Sequence, residues 1–553
     1  MPLPALVAAL LLAAAAYAYG LGAQHAMTNG DEALYAHIAR RTADSGDWLP
    51  LRCSMPEMVN TKPPLIFWQA ILSTDHGRRW SLFDLRWPSL VWTGLTAVLV
   101  ARVAVRCGAG RGGGLLAAAI YLAFLGTFRY GRPFLTNPPE VFWTFVPSWL
   151  LIEYAPGSFR SRFVVPTLAG LCLGVALLSK SFAILAPTGL VLAAWHLDVR
   201  GWRPGPFIRE ALPGLVWTAV VALAVFALWP LLDPHPEVIW RQFVIGENVG
   251  KLRAGASNYL LALLWGRRSI WALFAGWFLH AGLLALPVAG TMIRGWQLRR
   301  TAGEGERLLW LLCGATFLFY CIPTQRSGRY LLDALPALAV LVALHWHRLL
   351  PSAFATTCVA ALAVVAAAAW LSVVLVRSVP DAALGPLHWG VLAVGGVVAA
   401  LPLVRPRWLP WLALPAVFLA YLSHTGLALA FDPPAGGFDP QVIAAARGRV
   451  VWYPENFWAA VERERMLLPG VEVRGYPEVD PGPDPASVGP DDLIVVRRGL
   501  DDPPPEAALG RRLDMGSRFT AAEFRELAAG GVARKLFRYE WLVPLSSVDT
   551  TRK

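Results

Sequence analysis

Long apolar runs, separated by short polar or basic segments, dominate the first 431 residues of the chain. A helix needs about 20 apolar residues to cross the hydrocarbon core of a bilayer, and these runs have that length. They predict about thirteen membrane-spanning helices, with boundaries to within a few residues. The predicted spans are 3–22, 87–105, 114–131, 134–153, 164–179, 181–197, 211–231, 270–293, 308–324, 330–347, 353–376, 387–404 and 407–431.

The first run, LPALVAALLLAAAAYAYGLGA, has the length of a signal sequence as well as that of a span. No basic segment precedes it and no clear small-residue cleavage site ends it, although a secretory signal peptide has both. We therefore expect a retained helix.

The residues after 431 follow a different pattern. The stretch FDPPAGGFDP is rich in proline and glycine and predicts a linker, and DPGPDPASVGPDD predicts a loop. ENFWAAVERERMLL has the spacing of an amphipathic helix. The segments that predict strands are GRVVWY, VEVRGY and DLIVVRR. We expect a transmembrane domain at 1–431 and a small α/β domain at 432–553.

Composition supports a polytopic membrane protein. Of 553 residues, 56% are apolar and 16% are charged, and the mean hydropathy is +0.48, a balance that soluble domains rarely reach. The net charge of +12 comes mostly from arginine. Because no basic patch is interleaved with aromatic residues, we expect no nucleic-acid partner and attribute the charge to topology and anionic membrane lipids. The six cysteines are scattered and predict neither a disulfide framework nor a CxxC metal site.

Arginine clusters set the predicted orientation. With the N-terminus inside, the loops expected in the cytoplasm carry most of them, as the positive-inside rule requires. These arginines are Arg102, Arg106, Arg111, Arg160, Arg162, Arg200, Arg203, Arg209, Arg294, Arg299, Arg300, Arg307, Arg405 and Arg407. The alternation continues to the last span, so the tail and two long loops, about 23–86 and 232–269, are expected outside.

A few cations fall on the external side, where the rule disfavours them. They are Lys62, Lys180, Lys251, Arg253, Arg326 and Arg329. A lysine near a helix end can simply extend its charge to the interface. An ionisable residue bracketed by apolar helices is nevertheless a candidate functional residue. Two arginines next to Tyr330 suit bidentate recognition of a phosphate, with interfacial anchoring as the alternative.

The segments NTKPPLIFWQAIL and LTNPPEVFWTFV share a T-x-P-P-x-x-F-W core. Proline in the first turn starts a helix, and a helix N-terminus attracts anions. Lys62 precedes the first pair of prolines and adds a full positive charge, so we expect it to bind an anion. In the second copy, Asn137 is a candidate contact, although its spacing from Glu140 also fits a capping box.

The stretch TNGDEALYAHIARR places two adjacent carboxylates, Asp31 and Glu32, after the first span. Tyr35 follows Asp31 by one helical turn and shares its face. The structural alternative is an N-cap at Asp31 and a first-turn acid at Glu32 that the helix dipole favours. The functional interpretation makes the two acids catalytic candidates, with the phenol beside them.

The order of these motifs carries a family likeness. D-E-x-x-Y in the first external loop is followed by K-P-P before a helix, by LLSK in a turn, and by R-x-x-R-Y-L-L-x-x-L-P-A-L-A. This order resembles membrane glycosyltransferases that use polyprenyl-phosphate sugars, the GT-C type that includes aminoarabinose lipid A transferases and protein O-mannosyltransferases. The resemblance covers essentially the whole chain, including the external α/β tail.

The resemblance implies inverting transfer at the periplasmic face of the bacterial inner membrane. A sugar on undecaprenyl phosphate would pass to lipid A, another glycan or a protein. Asp31 matches the family's essential first-loop aspartate. The positions that match its lipid-phosphate contacts are Tyr35, Lys62, Lys180, Lys251 or Arg253, and Tyr330.

Three positions depart from the family pattern. Relatives commonly have an acidic residue at the position of Thr61 and often an aspartate at that of Asn137. Those that bind a metal have a histidine near the position of Asn248. These departures argue against the family's metal site and leave no certain cofactor. Two other hypotheses therefore stay open: a transporter or flippase for lipid-linked sugars, and a non-catalytic relative that only binds glycolipid.

Overall fold

The computed structural model describes residues 2–24, 30–154, 163–249, 259–379, 382, 384–433, 435–455, 459, 461–477, 480, 482–515 and 536–548. Within these ranges the side chains of 248, 249 and 260 are not described. Lys251 and Arg253 therefore lie outside the described residues, as does the side chain of Asn248.

Helices form most of the described chain before residue 432. They are α1 (Leu3–Ala18), α2 (Gly30–Ser45), α3 (Leu65–Ser73), α4 (Leu82–Ala104), α5 (Gly110–Ala123), α6 (Leu125–Gly131), α7 (Asn137–Glu153), α8 (Val164–Ser179), α9 (Leu185–Asp198), α10 (Leu212–Leu232), α11 (Tyr259–Leu264), α12 (Ile270–Ala281), α13 (Ala285–Leu298), α14 (Glu304–Cys321), α15 (Leu335–His345), α16 (Pro351–Ser378), α17 (Pro386–Val404) and α18 (Leu409–Ala428). An irregular helix spans Trp240–Val249, and a 3-10 helix, Gly328–Ala334, leads into α15.

Every predicted span overlaps at least one of these helices. Among the described residues, seven helical stretches are long and apolar enough to cross a membrane, and three shorter apolar helices accompany them. The chain is thus a multi-pass membrane protein, while the number of crossings stays a prediction. The seven stretches are Leu82–Ala123, Pro204–Leu232, Ile270–Leu298, Gly328–Arg348, Pro351–Ser378, Pro386–Val404 and Pro406–Phe431.

The first of these stretches contains a reversal of the chain. Gly108 has a φ of 90° between α4 and α5, a backbone conformation that glycine adopts at little steric cost. The two helices pack against each other on either side of this turn. This agrees with two separate predicted spans rather than one long helix.

The two helices of the first long loop, α2 and α3, share an apolar cluster. Its buried members include Leu34 and Ile38 of α2, Ile66 and Phe67 of α3, and Leu85 of α4. The proline pair before α3 ends at Pro64, which occupies its N-cap, as the sequence predicted. Packing against α4 fixes this loop on the helical bundle.

The tail contains a five-stranded sheet and two helices. One helix precedes the first strand, and the other lies between the first and second strands. The elements are α19 (Pro440–Ala446), β1 (Val450–Glu455), α20 (Val461–Leu467), β2 (Glu472–Pro477), β3 (Leu493–Gly499), β4 (Gly510–Met515) and β5 (Phe537–Pro544). The strand order is β2-β1-β3-β5-β4. β1 pairs in parallel with β2 and β3, and β5 pairs antiparallel with β3 and β4.

The three strands and the helix predicted in the tail correspond to β1, β2, β3 and α20. We missed α19, β4 and β5. β4 reads GRRLDM, with Arg512 and Asp514 buried, so its charges hid the apolar alternation that marks a strand. The α/β class of the tail is nevertheless as predicted.

Candidate active site

Asp31 lies in the first turn of α2 and forms a hydrogen-bonded ion pair with a residue of the Gly328–Ala334 segment, which is distant in sequence. Its Oδ2 accepts a hydrogen bond from Nη1 of Arg329 at 2.5 Å. The N-cap of the 3-10 segment that carries Arg329 is Ser327, whose hydroxyl accepts from the Arg329 backbone N–H. The fold therefore joins the carboxylate of the first predicted external loop to the R-x-x-R-Y motif.

The Arg329 guanidinium also contacts α7. Its Nε and Nη2 both donate to Oδ1 of Asn137, at 3.0 and 2.7 Å. The guanidinium carbon lies 5.1 Å from the ring centre of Tyr130, within the range of a cation–π contact. A planar fork with several donors can hold two partners in fixed directions, so Arg329 orients Asp31 and Asn137 relative to each other.

Asn137 continues this network towards Lys180. Its Nδ2 donates to Oε2 of Glu140 at 3.1 Å, and Nζ of Lys180 donates to the same oxygen at 2.6 Å. The N-cap of α7 is Thr136, without a side-chain capping bond, so the capping-box alternative for Asn137 was wrong. A continuous hydrogen-bonded chain runs from Asp31 through Arg329, Asn137 and Glu140 to Lys180.

A cavity of about 490 Å³ lies at the lysine end of this chain. Lys62, Lys180 and Tyr330 line it together with Glu140 and Glu247. Most of the remaining lining is apolar: Phe182, Ala183, Ile184, Leu185, Ala186, Phe243, Phe319, Tyr320 and Pro323. The structure thus brings three predicted phosphate-binding residues together in the wall of one mostly apolar cavity. Asp31, Tyr35 and Arg329 do not line this cavity.

Lys62 lies just before α3, and its ammonium group contacts two oxygens. Its Nζ donates to the carbonyl of Thr61 at 2.7 Å and lies 3.5 Å from Oε2 of Glu247. Lys180 has Glu140 as its counterpart. Each lysine of the cavity therefore faces a carboxylate, and an incoming anion must compete with that carboxylate for the ammonium group.

Two tyrosines occupy different positions relative to the cavity. Tyr35 is buried with its ring edge-on to Phe67, the centroids 6.1 Å apart. Burial, reinforced by the nearby Asp31 charge, raises the pKa of Tyr35, so its phenol stays protonated and available as a donor. Tyr330 stacks on Tyr320 with centroids 4.8 Å apart, which fixes its ring on the cavity wall.

The geometry does not support two of the predicted site residues. Oε1 of Glu32 accepts from Nε of Arg86 at 2.6 Å and from the Phe134 backbone N–H at 2.8 Å, while Oε2 accepts from Nη2 of Arg86 at 2.8 Å. Glu32 is 4% exposed and ties α2 to α4. Both carboxylate oxygens of Glu32 are engaged in this contact, and a catalytic role for Glu32 stays a prediction.

Arg326 is likewise engaged by the backbone. Its Nε donates to the carbonyl of Cys321 at 2.8 Å, and its Nη1 donates to the carbonyls of Ala262 and Arg268 at 3.2 and 3.0 Å. These bonds join α11 and the loop before α12 to the end of α14. Of the two arginines in the motif, Arg329 belongs to the site network and Arg326 braces the loops beside it.

Thr61 and Asn137, the two of the family's metal positions whose side chains the structure describes, do not fit a divalent cation. The Thr61 carbonyl accepts from Lys62, and Oδ1 of Asn137 accepts twice from Arg329. An amide oxygen already shared with a guanidinium is a poor ligand for a second cation. Among the described residues, no group of three histidine, cysteine or acidic side chains has the geometry of a metal site, and we derive no step through a metal.

Sequence reasoning missed the part that two carboxylates play. The sequence drew attention to Glu140 only for its capping-box spacing from Asn137, and it indicated no role for Glu247. Their pairing with Lys180 and Lys62 crosses 40 and 185 positions of the chain. The available signal was the excess of cations on the predicted external side, since buried cations need partners.

Residues 7–232 match the sequence model of the family described as dolichyl-phosphate-mannose-protein mannosyltransferase. This match covers 226 of the chain's 553 residues. The match includes the segments of Asp31, Lys62, Asn137 and Lys180, and ends before Glu247 and Arg329.

Curated proteins with similar sequences carry names that also contain a polyprenyl-phosphate sugar. An undecaprenyl phosphate-alpha-4-amino-4-deoxy-L-arabinose arabinosyl transferase of Pectobacterium carotovorum is 28% identical over 326 residues, covering 57% of this chain and 54% of that protein. A protein of the same name from Aeromonas salmonicida is 26% identical over 332 residues, covering 58% and 56%. The chain thus spans about half the length of these curated relatives.

A solved structure extends the likeness to the whole fold. The crystal structure of ArnT from Cupriavidus metallidurans bound to undecaprenyl phosphate aligns with a TM-score of 0.60 over 98% of both chains, at 17% identity. The helical bundle with a small sheet domain at its C-terminal end is therefore the fold of this chain.

Proposed function

We propose that this chain is a glycosyltransferase that moves a sugar from undecaprenyl phosphate, or another polyprenyl phosphate, to lipid A or another envelope acceptor. The reaction would occur with inversion at the periplasmic face of the bacterial inner membrane. Residues 1–431 would form the transmembrane catalytic domain, and 432–553 a periplasmic domain. The names of the curated relatives and of the matching family, which all contain a polyprenyl-phosphate sugar, support this class of donor.

One observation supports the proposal most directly. Lys62, Lys180 and Tyr330 line a single, mostly apolar cavity, which suits a phosphate joined to a long isoprenoid chain. A hydrogen-bonded network leads from that cavity to the carboxylate of Asp31. A phosphate-binding end and a carboxylate end are what displacement of a phosphate from a sugar requires.

The lysines would act on the leaving group. As the bond from the anomeric carbon to the phosphate oxygen breaks, that oxygen keeps the electron pair and the phosphate gains negative charge. Fixed cations in a site with little water stabilise such a charge far better than solvent does. Lys62 and Lys180 would exchange Glu247 and Glu140 for the phosphate, so that their charges are not left unpaired before the donor binds.

Asp31 would act at the other side of the sugar. If the acceptor is a hydroxyl, its oxygen bonds to the anomeric carbon while its proton passes to the Asp31 carboxylate. If the acceptor is a phosphate, it arrives ionised and needs no base. In that case Asp31 stabilises the positive charge that develops at the anomeric carbon. Arg329 fixes the direction of the carboxylate in both cases.

The test is mass spectrometry of envelope lipids and glycans from a strain that lacks the gene. The strain carries wild type, Asp31→Asn or no copy. We expect a sugar-sized mass to disappear with the deletion and to return with wild type alone, and the mass difference then gives the sugar class. Asp31→Asn removes the negative charge at nearly constant volume, so it separates catalysis from packing.

Binding provides the matched readout. Native mass spectrometry with undecaprenyl phosphate should show the lipid bound equally to wild type and Asp31→Asn, because Asp31 does not line the cavity. Lys180→Ala should lose much of this binding. Full restoration of the sugar by Asp31→Asn would overturn the catalytic role and favour a transport or glycolipid-binding function.

A further inference from the structure

The helix that carries Asp31 has a second polar side. Asp31 and Tyr35 are four residues apart and share one face of α2, whereas His37 and Arg40 fall on the opposite face at 100° per residue. A helix of 16 residues is marginal in isolation. Contacts on both faces must therefore determine where α2 lies and where it presents Asp31.

The opposite face of α2 is bound by the C-terminal domain. Oε1 of Glu462, in α20, lies 2.7 Å from Nδ1 of His37 and accepts from Nη2 of Arg40 at 2.8 Å. Its Oε2 accepts from Nε of Arg40 at 3.0 Å. Arg465, one turn later on α20, also donates to Oε1. The Glu462 side chain is 1% exposed, so this is a buried, fully engaged carboxylate.

The hydrogen bonds of His37 define which of its ring nitrogens accepts and which donates. The backbone N–H of Ser54 donates to Nε2 of His37 at 3.2 Å, so Nε2 accepts and the ring proton of the neutral imidazole lies on Nδ1. That proton points at Glu462. His37 thus links three segments: α2, the loop before α3, and the tail domain more than 400 residues later.

Apolar contacts accompany the polar ones. Ala459, just before α20, is a buried member of the cluster that contains Leu34, Tyr35 and Ile38 of α2, and Met466 packs against the same cluster. The tail therefore meets α2 over a surface in which Glu462 supplies the charged centre. Tyr35 belongs both to this cluster and to the surroundings of Asp31.

We propose that Glu462 is a positioning residue for the transfer reaction: it holds α2 from the face opposite Asp31, so that the C-terminal domain sets the position of the catalytic carboxylate. The inference rests on the proposed function for its kinetic consequence and on the contacts above for its structural one. Neutralising Glu462 leaves the half-buried Arg40 and Arg465 without their shared carboxylate. Removing one partner of such an ion pair is destabilising. A displacement of about 1 Å at a reacting group can cost about 100-fold in rate.

The experiment uses the full chain in lipid nanodiscs and compares wild type with Glu462→Gln. Hydrogen–deuterium exchange should become faster in residues 30–45, with no change in β1, β3 and β5. With undecaprenyl-phosphate aminoarabinose as donor and lipid A as acceptor, kcat should fall about tenfold. KM for the donor and the affinity for undecaprenyl phosphate should stay within about twofold, since Lys62 and Lys180 lie on other elements.

Two further variants test the direction of the effect. His37→Phe removes the N–H that donates to Glu462, so it should reproduce the lower kcat and the faster hydrogen–deuterium exchange in α2. His37→Asn keeps an N–H near the position of Nδ1 and should restore most of both. The control is Glu472→Gln, which removes an exposed carboxylate paired with Arg474 in the same domain and should change neither readout.

The outcomes separate this inference from the proposed function. Unchanged exchange in residues 30–45 of Glu462→Gln overturns the positioning role, whatever the activity. Faster exchange in the sheet as well as in α2 also overturns it, because the variant would then act by unfolding the tail. A wild-type protein that transfers no aminoarabinose to lipid A, combined with faster exchange in α2 alone, overturns this donor and acceptor for the proposed function and leaves the positioning contact intact.

Discussion

Arg329 and Asp31 are 298 positions apart, yet Nη1 of the arginine donates to Oδ2 of the aspartate at 2.5 Å. The remaining guanidinium donors bind a single amide oxygen, Oδ1 of Asn137. The carboxylate proposed to act on the sugar is thus held by a cation that does not line the phosphate cavity. Orientation of Asp31 and binding of the phosphate are separate tasks, carried by different cations.

Arg329→Lys should therefore impair transfer without impairing donor binding. Lysine keeps the charge but lacks the planar fork that holds two partners in fixed directions. We expect the transfer rate to fall about 100-fold, the order of magnitude that misplacement of a reacting group produces. Binding of undecaprenyl phosphate, followed by native mass spectrometry, should be unchanged. A lysine variant with the wild-type rate would show that charge alone suffices at this position.

Glu247→Gln should tighten the binding of undecaprenyl phosphate. Glu247 lies 3.5 Å from the Lys62 ammonium, and both side chains are partly exposed, so their interaction is worth about 0.2–1 kcal/mol. Removing the competitor should lower Kd by about 1.4- to 5-fold. A titration of the protein in nanodiscs measures this change.

The matched control is Glu237→Gln, since Glu237 forms an exposed pair with His235 just before the same irregular helix. Its Kd should equal that of wild type. Weaker binding in Glu247→Gln would mean that the carboxylate holds Lys62 in its binding position instead of competing with the phosphate.

The helical part of the fold was predictable because its signal is local. Spans show as continuous apolar runs whose length the bilayer dictates, and the proline pairs before Leu65 and in the first turn of α7 mark helix starts. Both features depend only on residues adjacent in the chain. The same holds for β1 and β3, which begin with the short apolar runs VVWY and LIVV.

The pairings within the site were not predictable, because they depend on which helices meet. Glu32 and Asp31 are neighbours with the same chemistry, yet successive helical residues point 100° apart. One carboxylate therefore meets Arg329 and the other meets the buried Arg86. Sequence adjacency suggested a catalytic pair, and helix geometry divided it into a site residue and a brace.

Gly174→Ala should destabilise the bundle. A Cβ at Gly174 of α8 would lie 2.5 Å from Cβ of Val225 in α10, and one at Gly170 would lie 2.7 Å from Cβ of Val221. Small residues four apart let transmembrane helices approach closely. Overpacking such a contact costs about 1–3 kcal/mol, so the apparent Tm in detergent should fall.

Gly189→Ala is the control for this substitution, because a Cβ there would meet no atom within 4 Å. It should leave the apparent Tm unchanged or slightly higher, since alanine is the better helix former. Equal Tm values for Gly174→Ala and wild type would mean that α8 and α10 separate readily to accommodate the methyl group.

The contact between the tail and α2 should weaken in acid. Burial by itself would raise the pKa of Glu462, but the hydrogen bonds from His37 and Arg40 and the charge of Arg465 lower it to about 2, from an ordinary value of 4.5. A carboxyl whose pKa is lower in the folded state stabilises that state above its unfolded pKa. This contribution, about 3 kcal/mol, is complete above about pH 4.5 and disappears as the pH falls towards 2.

Thermal unfolding of wild type and Glu462→Gln measures this dependence. At pH 7 the variant should unfold at a lower temperature than wild type, because it lacks the ionised carboxylate that His37 and Arg40 bind. The difference should shrink as the pH falls from about 4.5 towards 2, because the unfolded wild-type chain then binds a proton at this carboxyl that the glutamine variant cannot bind. Glu472→Gln should follow wild type throughout. A difference that stays constant with pH would show that Glu462 supports α2 through its shape and hydrogen bonds and that its charge contributes nothing.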